Sequence, residues 1–514
     1  MQKLPIGIQN FRELRNGGFL YVDKTEDIYH LVTTGKYFFL SRPRRFGKSL
    51  LVSTMEELFS GAQNLFQGLW LADKWDWGKT HPVLHISFGS IGYKELGLEG
   101  ALHRYLDKVI AHYGFDIQEE ALSQKFKELL LFLSSEKGQV VLLIDEYDKP
   151  IIDYIGGAIE QAQDHQEVLR KFYSIIKDSD PYLRLVFITG VSKFSRVSIF
   201  SDLNNLEDLT IEDYRTAGMT GYTQKEVEHY FKDYIFLVAE RLKMTVPELL
   251  QQIKKWYNGY SWDTEVFVYN PFSILNFFKK AKFLNFWFQT ATPAFLIQLI
   301  KKQTYYDFDG VEVGQEIFDA FEIKEHIDAI TLLFQTGYLT MKSVNEFGVY
   351  KLGYPNEEVR RSMLGYLIGA FAEKDPKEIA PLAVKLREGL LNNDMEQIIE
   401  IFNTLLRSLP YQLKEKQERF FHAVIHLMFQ MAGIYLQSEV NTHRGRADTI
   451  IETKNRVWCF EFKLNHSANA AIEQIKERGY LDAYKVSGKE LVAVGINFSV
   501  QRAEIDDWAV EVVA

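Results

Sequence analysis

The sequence predicts an α/β chain organised around a parallel sheet, and three observations carry that prediction. Apolar runs at Tyr37–Leu40, His81–Phe88, Gln139–Glu146 and Leu183–Gly190 are separated by stretches of helical character, the pattern of strands buried on both faces. The first run leads into Ser41-Arg-Pro-Arg-Arg-Phe-Gly-Lys-Ser-Leu50 and then into a helix-like segment ending at Phe59. The third run, Val140–Ile144, is continuously apolar and ends in two carboxylates, Asp145 and Glu146.

Strand, loop and helix with Gly47-Lys48-Ser49 at the turn is the order a phosphate-binding loop needs. Loop amides and the positive end of the helix converge on the phosphates, Lys48 adds charge and Ser49 offers a metal ligand. The usual first glycine is replaced by Arg42, and Arg44 and Arg45 follow it, so three guanidinium groups are available to a triphosphate. A side chain at position 42 opposes the tight wrap of the loop; the strand and helix on either side of the motif support ATP binding, and hydrolysis is left open. Asp145 is placed to hold Mg²⁺ through water and Glu146 to orient or deprotonate the attacking water. Past the fourth run, Thr189 or Ser192 could sense the terminal phosphate, or could equally be a hydroxyl satisfied within its own loop.

A chain of 514 residues exceeds the size at which one core stops growing, so two to four domains are expected. The net charge of −10 argues against a protein that coats nucleic acid through bulk charge; any such site must be a local patch. Cys459 is the single cysteine, which excludes an internal disulfide framework or a cysteine zinc site and fits a reducing compartment. No apolar run reaches about 18 residues and the start lacks the features of a signal peptide, so a cytoplasmic protein without membrane contact is expected.

The runs LPIGIQNF, YVDKT, SRPRRFGKSLL, LLIDEYDKPI and ITGVSKFSRVSIFSDLNNLEDLT together resemble the bacterial AAA-ATPase-like family, whose members commonly carry a C-terminal PD-(D/E)XK nuclease-like domain. The resemblance implies that Arg42 belongs to the family's own form of the loop. It also implies a P-loop domain over 1–218 and a helical lid over 219–300, where Thr223 and Glu226 form a capping box. Trp256-Tyr-Asn-Gly-Tyr260 marks a helix end and is assigned to lid packing in preference to stacking on bases. Residues 301–410 read as a winged-helix-like region and helical connector: helix 326–335, strands 338–342 and 349–352, and helix 357–368. A packing or regulatory wing is favoured there over sequence-specific DNA binding.

Residues 411–514 carry nearly equal numbers of acidic and basic side chains, but their order is informative. Asp448 lies on a strand over 447–452, and Glu461 and Lys463 on a strand over 457–463, joined by the short turn 453–455. Strand periodicity puts Glu461 and Lys463 on one face, with Phe460 and Phe462 on the other. Two carboxylates on adjacent strands can grip a divalent ion, and a neighbouring lysine can position water and counter charge on a scissile phosphate. Gly445-Arg-Ala-Asp448 with Glu461-Phe-Lys463 resembles the PD-(D/E)XK nucleases, with Ala447 where proline is usual. That resemblance implies Asp448 and Glu461 as metal ligands, Lys463 as catalytic base or stabiliser, Glu418 as an accessory acid and Gln474 as a polar partner; the fold implied is restriction-endonuclease-like. His422, His426, His443 and His466 do not form a zinc spacing and are read as structural or, at most, phosphate-contacting.

The resulting expectation is an ATP- and Mg²⁺-binding protein, with Mn²⁺ as an alternative ion, coupled to a metal-dependent nuclease acting on DNA in preference to RNA. A homo-oligomer is compatible with the sequence. The alternative is a nucleotide-gated switch whose C-terminal domain keeps the nuclease fold only as a platform for nucleic acid or a partner.

Overall fold

The computed structural model describes residues 1–155, 157–193, 200, 203, 205–287, 296, 297, 299, 300, 308–318, 328–407, 417–433, 435–442, 445–499, 502 and 504–513, with backbone alone at 417–422, 435–442 and 445–447. It divides into two compact units, Met1–Thr292 with Phe308–Val359, and Pro293–Asp307 with Arg360–Ala514.

In the first unit the apolar runs become β1 (Tyr37–Ser41), β2 (Val83–Ser87), β3 (Val140–Asp145) and β4 (Leu183–Gly190), joined by a two-residue strand β5 (Glu207–Asp208). All pair in parallel in the order β2-β3-β4-β1-β5. Ser41 pairs with Gly190 and Ser87 with Asp145, so the carboxyl ends of four strands come out along one edge. Ligands of open parallel sheets bind at that edge. Because β4 lies between β1 and β3, the loop after β1 and the acidic end of β3 flank the end of β4. Phe38, Leu40, Val141 and Leu143 pack into one core with Met55 and Leu58 of the helix Lys48–Phe59, which fixes the start of that helix over the sheet edge.

The lid comprises the helices Gln224–Tyr230, Lys232–Leu242, Val246–Tyr257 and Pro271–Lys280, with a short antiparallel pair β6 (Tyr222–Thr223) and β7 (Val268–Tyr269). The Thr223/Glu226 capping box forms, and Thr245 with Glu248 makes a second. Trp256 and Tyr257 pack against Phe283, so the aromatic helix end serves the lid core. Leu20 and Val22 enter that same core, which docks the N-terminal segment on the lid. His85, on β2, pairs with Glu56 at 2.9 Å.

The winged-helix-like region keeps its helix Ala329–Gln335 and its hairpin β9 (Thr340–Val344) and β10 (Tyr350–Gly353), followed by the helix Glu357–Ala372. A third strand, β8 (Val311–Val313), adds to β10 and was not anticipated. Positions 326 and 327 of the expected first helix lie outside the described residues.

The second unit contains the helices Pro376–Asn392, Met395–Leu406 and Gln417–Met431 and a mixed sheet of β11 (Tyr435–Thr442), β12 (Gly445–Glu452), β13 (Arg456–Leu464), β14 (Glu490–Ser499) and β15 (Glu504–Val512), in sequential order. Only β13 and β14 pair in parallel, and the helix Ala468–Arg478 supplies the crossover they require. Phe460 packs on Phe429 from one side of β13, while Cys459 meets Ile472 and Ile475 on the other. Among the described residues no helix is long and apolar enough to cross a membrane.

Candidate functional site

At the end of β1 the chain turns through two left-handed residues, Arg45 at φ +71° and Gly47 at φ +90°, and the helix Lys48–Phe59 begins at once. At Gly47 this geometry is free of the strain that a side chain such as that of Arg45 meets. The Lys48 ammonium is buried and donates to the carbonyls of Arg42 at 2.8 Å and Pro43 at 3.0 Å, closing the loop over itself. Burial lowers the Lys48 pKa; the Asp145, Asp148 and Glu146 carboxylates oppose this, in that order of strength.

Arg42 corrects an expectation. Its side chain turns away from the loop mouth, donating from Nη1 to the carbonyls of Ser41 at 2.9 Å and Thr210 at 2.7 Å and from Nη2 to that of Thr216 at 3.3 Å. It also lies 4.2 Å above the Trp262 ring. Burial pushes it down to about 9, with Asp208, Asp213 and Asp263 opposing. The residue in the first glycine's place therefore contributes its backbone carbonyl to Lys48 and its guanidinium to the packing behind the loop.

Asp145 is buried and accepts a hydrogen bond from Thr189 Oγ1 at 2.6 Å. Glu146 follows at φ +54°, and a Cβ on Gly89 would sit 2.5 Å from its Oε2, so the bare backbone of Gly89 admits the carboxylate. Burial raises the Glu146 pKa, against the pull of Lys149. Ser192, expected near the cofactor, is committed elsewhere: its amide and hydroxyl donate to Asp148 Oδ2 at 2.6 and 2.8 Å, and the Val191 amide adds a third bond at 2.9 Å. Asp148 escaped the sequence reading. Its signal was the acid three residues beyond Asp145, within reach of the loop after β4. Burial raises its pKa and the bonds from Ser192 lower it.

A cavity of about 350 Å³ opens over the loop. Its floor is Gly47, Lys48 and Ser49, with Arg44 and Arg45 beside them and Glu146 and Lys149 on the acidic side. The apolar part of the lining comes from Ile8 and Val22 of the N-terminal segment and from Tyr222, Pro271 and Leu275 of the lid. Gly221 donates its amide to the Phe46 carbonyl at 3.2 Å, tying the lid to the loop. Lys24 ties the N-terminal segment to the start of the lid, donating to the Gly218 carbonyl at 2.6 Å and to Glu226 at 2.5 Å. The apolar lining suits a flat apolar group and the loop suits a polyanion.

In the second unit β12 and β13 form the expected hairpin, and Asp448 and Glu461 fall one step beyond the register pair Thr449–Phe460. Asp448 Oδ2 accepts from the Phe462 amide at 2.9 Å, which fixes its orientation. Glu461 is buried; its Oε1 accepts from Lys463 Nζ at 3.2 Å and from Gln474 Nε2 at 2.5 Å. Lys463 also donates to Gln474 Oε1, so Gln474 bridges the acid and the lysine. Gly495, paired with Glu461 across β13–β14, lets the helix carrying Gln474 press onto the sheet: a Cβ there would lie 2.1 Å from the Ala468 carbonyl. Among the described residues Glu461 Oε2 is buried without a hydrogen-bond partner, the condition of an oxygen shaped for a cation. Burial and the Asp448 charge push Glu461 up to about 7. These residues fit a divalent ion. Glu418 lies on the helix Gln417–Met431, but its side chain is outside the described residues, as is His443.

Fold and sites define a protein class: an AAA-ATPase-like domain on a parallel sheet, joined to a PD-(D/E)XK-type domain on a mixed sheet. Residues 5–200 match the family described as "Predicted AAA-ATPase" and residues 416–508 match the PD-(D/E)XK nuclease superfamily. The chain is 36% identical over 529 residues to an "Uncharacterized protein in vnfD 5'region" of Azotobacter chroococcum mcd 1, with 99% of each chain covered. It belongs to this family of AAA-ATPase-like proteins with a C-terminal PD-(D/E)XK domain.

Proposed function

We propose that the chain binds ATP with Mg²⁺ in the cavity over Gly47–Ser49 and that its nucleotide state governs a metal-dependent nuclease, acting on DNA, in the C-terminal domain. The observation that carries the reading is the cavity itself, lined by the phosphate loop, by Glu146 just beyond the acidic strand, and by apolar side chains of the N-terminal segment and the lid. The base would lie against Ile8, Val22 and Tyr222, and the phosphates on the loop amides and Lys48. Ser49 and Asp145 would hold Mg²⁺, which supplies neutralisation of phosphate charge. Glu146 would take a proton from water, helped by a raised pKa that brings it nearer to the operating range of a general base.

In the nuclease domain Asp448 and Glu461 would hold the divalent ion, which supplies charge neutralisation at the scissile phosphate and a more acidic water. Lys463 would hold positive charge on the phosphate oxygens, kept in place by Gln474.

A second reading, a switch with an inactive nuclease-like platform, is favoured by one observation. Among the described residues no group of three or more His, Cys, Asp or Glu gathers around a common point, so the C-terminal site offers two carboxylates. One set of measurements separates the readings. ATP·Mg²⁺ should raise the thermal midpoint of the protein, by about 2.7 kcal/mol of stabilisation at a hundred times the dissociation constant, and Lys48→Ala should abolish the rise. DNA and RNA, single- and double-stranded, incubated with Mg²⁺ or Mn²⁺ with and without ATP, should show metal-dependent cleavage of DNA. Binding without cleavage under any of these conditions would establish the platform.

A further inference from the structure

The phosphate loop is held by a closed ring of contacts whose two anchors, Trp287 and Glu358, do not line the cavity. Trp287 is fully buried and its indole Nε1 donates to the Arg44 carbonyl at 2.9 Å. Its backbone amide donates to Glu358 Oε1 at 2.7 Å, and the Phe286 amide donates to the same oxygen. The other oxygen of Glu358 accepts from Ser273 Oγ at 2.7 Å, on the lid helix Pro271–Lys280. The next residue back, Phe272, lines the cavity and carries the Arg45 guanidinium 4.4 Å above its ring. The path has returned to the loop one residue from where it left. Gly337 closes the back of the turn: at φ +88°, with Pro43 Cβ and Cγ 2.6 Å from where its own Cβ would stand, it admits only glycine.

A loop with arginines and proline where others carry glycine needs its carbonyls pointed by something else. We propose that Trp287 and Glu358 are positioning residues of the phosphate loop, so that nucleotide affinity depends on an indole N–H and a carboxylate that do not line the cavity. Fixing the Arg44 carbonyl fixes the peptide that leads into Arg45 and Gly47, and so the direction of the amides on the cavity floor. Fixing Ser273 holds Phe272, and with it Arg45, at the rim. The carboxylate thus ties lid and loop into one element, and a shift of the lid changes the loop.

This inference rests on the reading of the cavity as an ATP site, and its test has an arm that does not. Trp287→Phe keeps an aromatic ring in place and removes the donor; Glu358→Gln replaces an acceptor by an amide that cannot accept all three bonds. Both variants and the parent chain are compared in ATP·Mg²⁺ affinity by calorimetry, in nucleotide-free thermal midpoint, and in trypsin cleavage after Arg44 and Arg45 without nucleotide. The expected result is a loss of ATP affinity of about tenfold, the scale of one well-placed hydrogen bond. It should come with faster cleavage confined to the loop and a midpoint that moves little. If Glu358→Gln does not fold, Trp287→Phe carries the test. Parent-like loop cleavage in Trp287→Phe overturns the proposal even if the parent binds no ATP, an outcome that by itself refutes only the cavity reading. Parent-like ATP affinity overturns it too, as does cleavage spread over the whole unit with a lowered midpoint, the sign of general loosening.

Discussion

Thr189 and Asp145 face each other at the ends of neighbouring parallel strands, the threonine hydroxyl donating to the carboxylate at 2.6 Å. The bond leaves one carboxylate oxygen engaged and orients the other, so Thr189 acts on any ion through Asp145. Thr189→Val keeps the shape and removes the donor. Its ATP affinity should fall by about tenfold in Mg²⁺ and change little in EDTA. Equal losses in both conditions would show that the hydroxyl serves the fold and not the ion.

Glu146→Gln separates binding from turnover. The amide cannot take a proton, while the left-handed backbone at this position and the space over Gly89 accommodate it as they do the acid. ATP should bind as in the parent, and phosphate release should fall by at least about a hundredfold if proton transfer limits the rate. Unchanged release would move the base elsewhere.

What the sequence disclosed and what it withheld divide along sequence separation. The loop, the acidic strand and the Asp448–Glu461–Lys463 hairpin are local patterns, each readable from alternation or from a run of apolar residues ending in charge. Arg42 could not be placed in this way, because the carbonyls of Thr210 and Thr216 that take its guanidinium lie 168 and 174 residues away. Asp148 was missed for the same reason, its amide partners being 43 and 44 residues distant. The two-residue strand β5 has no periodicity to read. Ser192 was legible as a polar residue after a strand, but a hydroxyl does not say in which direction it is satisfied.

Gly495→Ala should damage the C-terminal site without touching its charges. The added carbon would meet the Ala468 carbonyl at 2.1 Å, so the helix Ala468–Arg478 must lift and carry Gln474 away from Glu461 and Lys463. Overpacking of this kind destabilises by about 1–3 kcal/mol. A lower unfolding midpoint together with loss of metal-dependent cleavage is expected; full activity would exclude Gln474 from the site.

The proton on Glu461 gives a pH test with a definite sign. Burial and Asp448 raise its pKa from 4.5 to about 7, so the folded metal-free protein holds this proton more tightly than the unfolded chain. That contribution, at most about 3 kcal/mol, is fully present below the unfolded value near 4.5 and is lost as pH rises through about 7. Glu461→Gln should flatten this part of the stability profile. A divalent ion competes with the same proton, so Mn²⁺ affinity measured by calorimetry should rise from pH 6 to pH 8, and a flat profile would remove Glu461 from the ligand set.

The walls of the cavity over the loop are drawn from residues as far apart as Pro5 and Leu275, and the loop's outer support comes from Trp287. A ribosome releases these pieces in order, so the phosphate loop leaves the exit tunnel long before β4 can flank it or the lid can cover it. Contacts of such long range form last and slowly. The nascent chain therefore presents the loop before the lid residues of the cavity lining exist, and that lining is complete only when more than half of the chain has been made. Truncated translation products that retain the loop but end before the lid would therefore be blind to a ligand of the cavity.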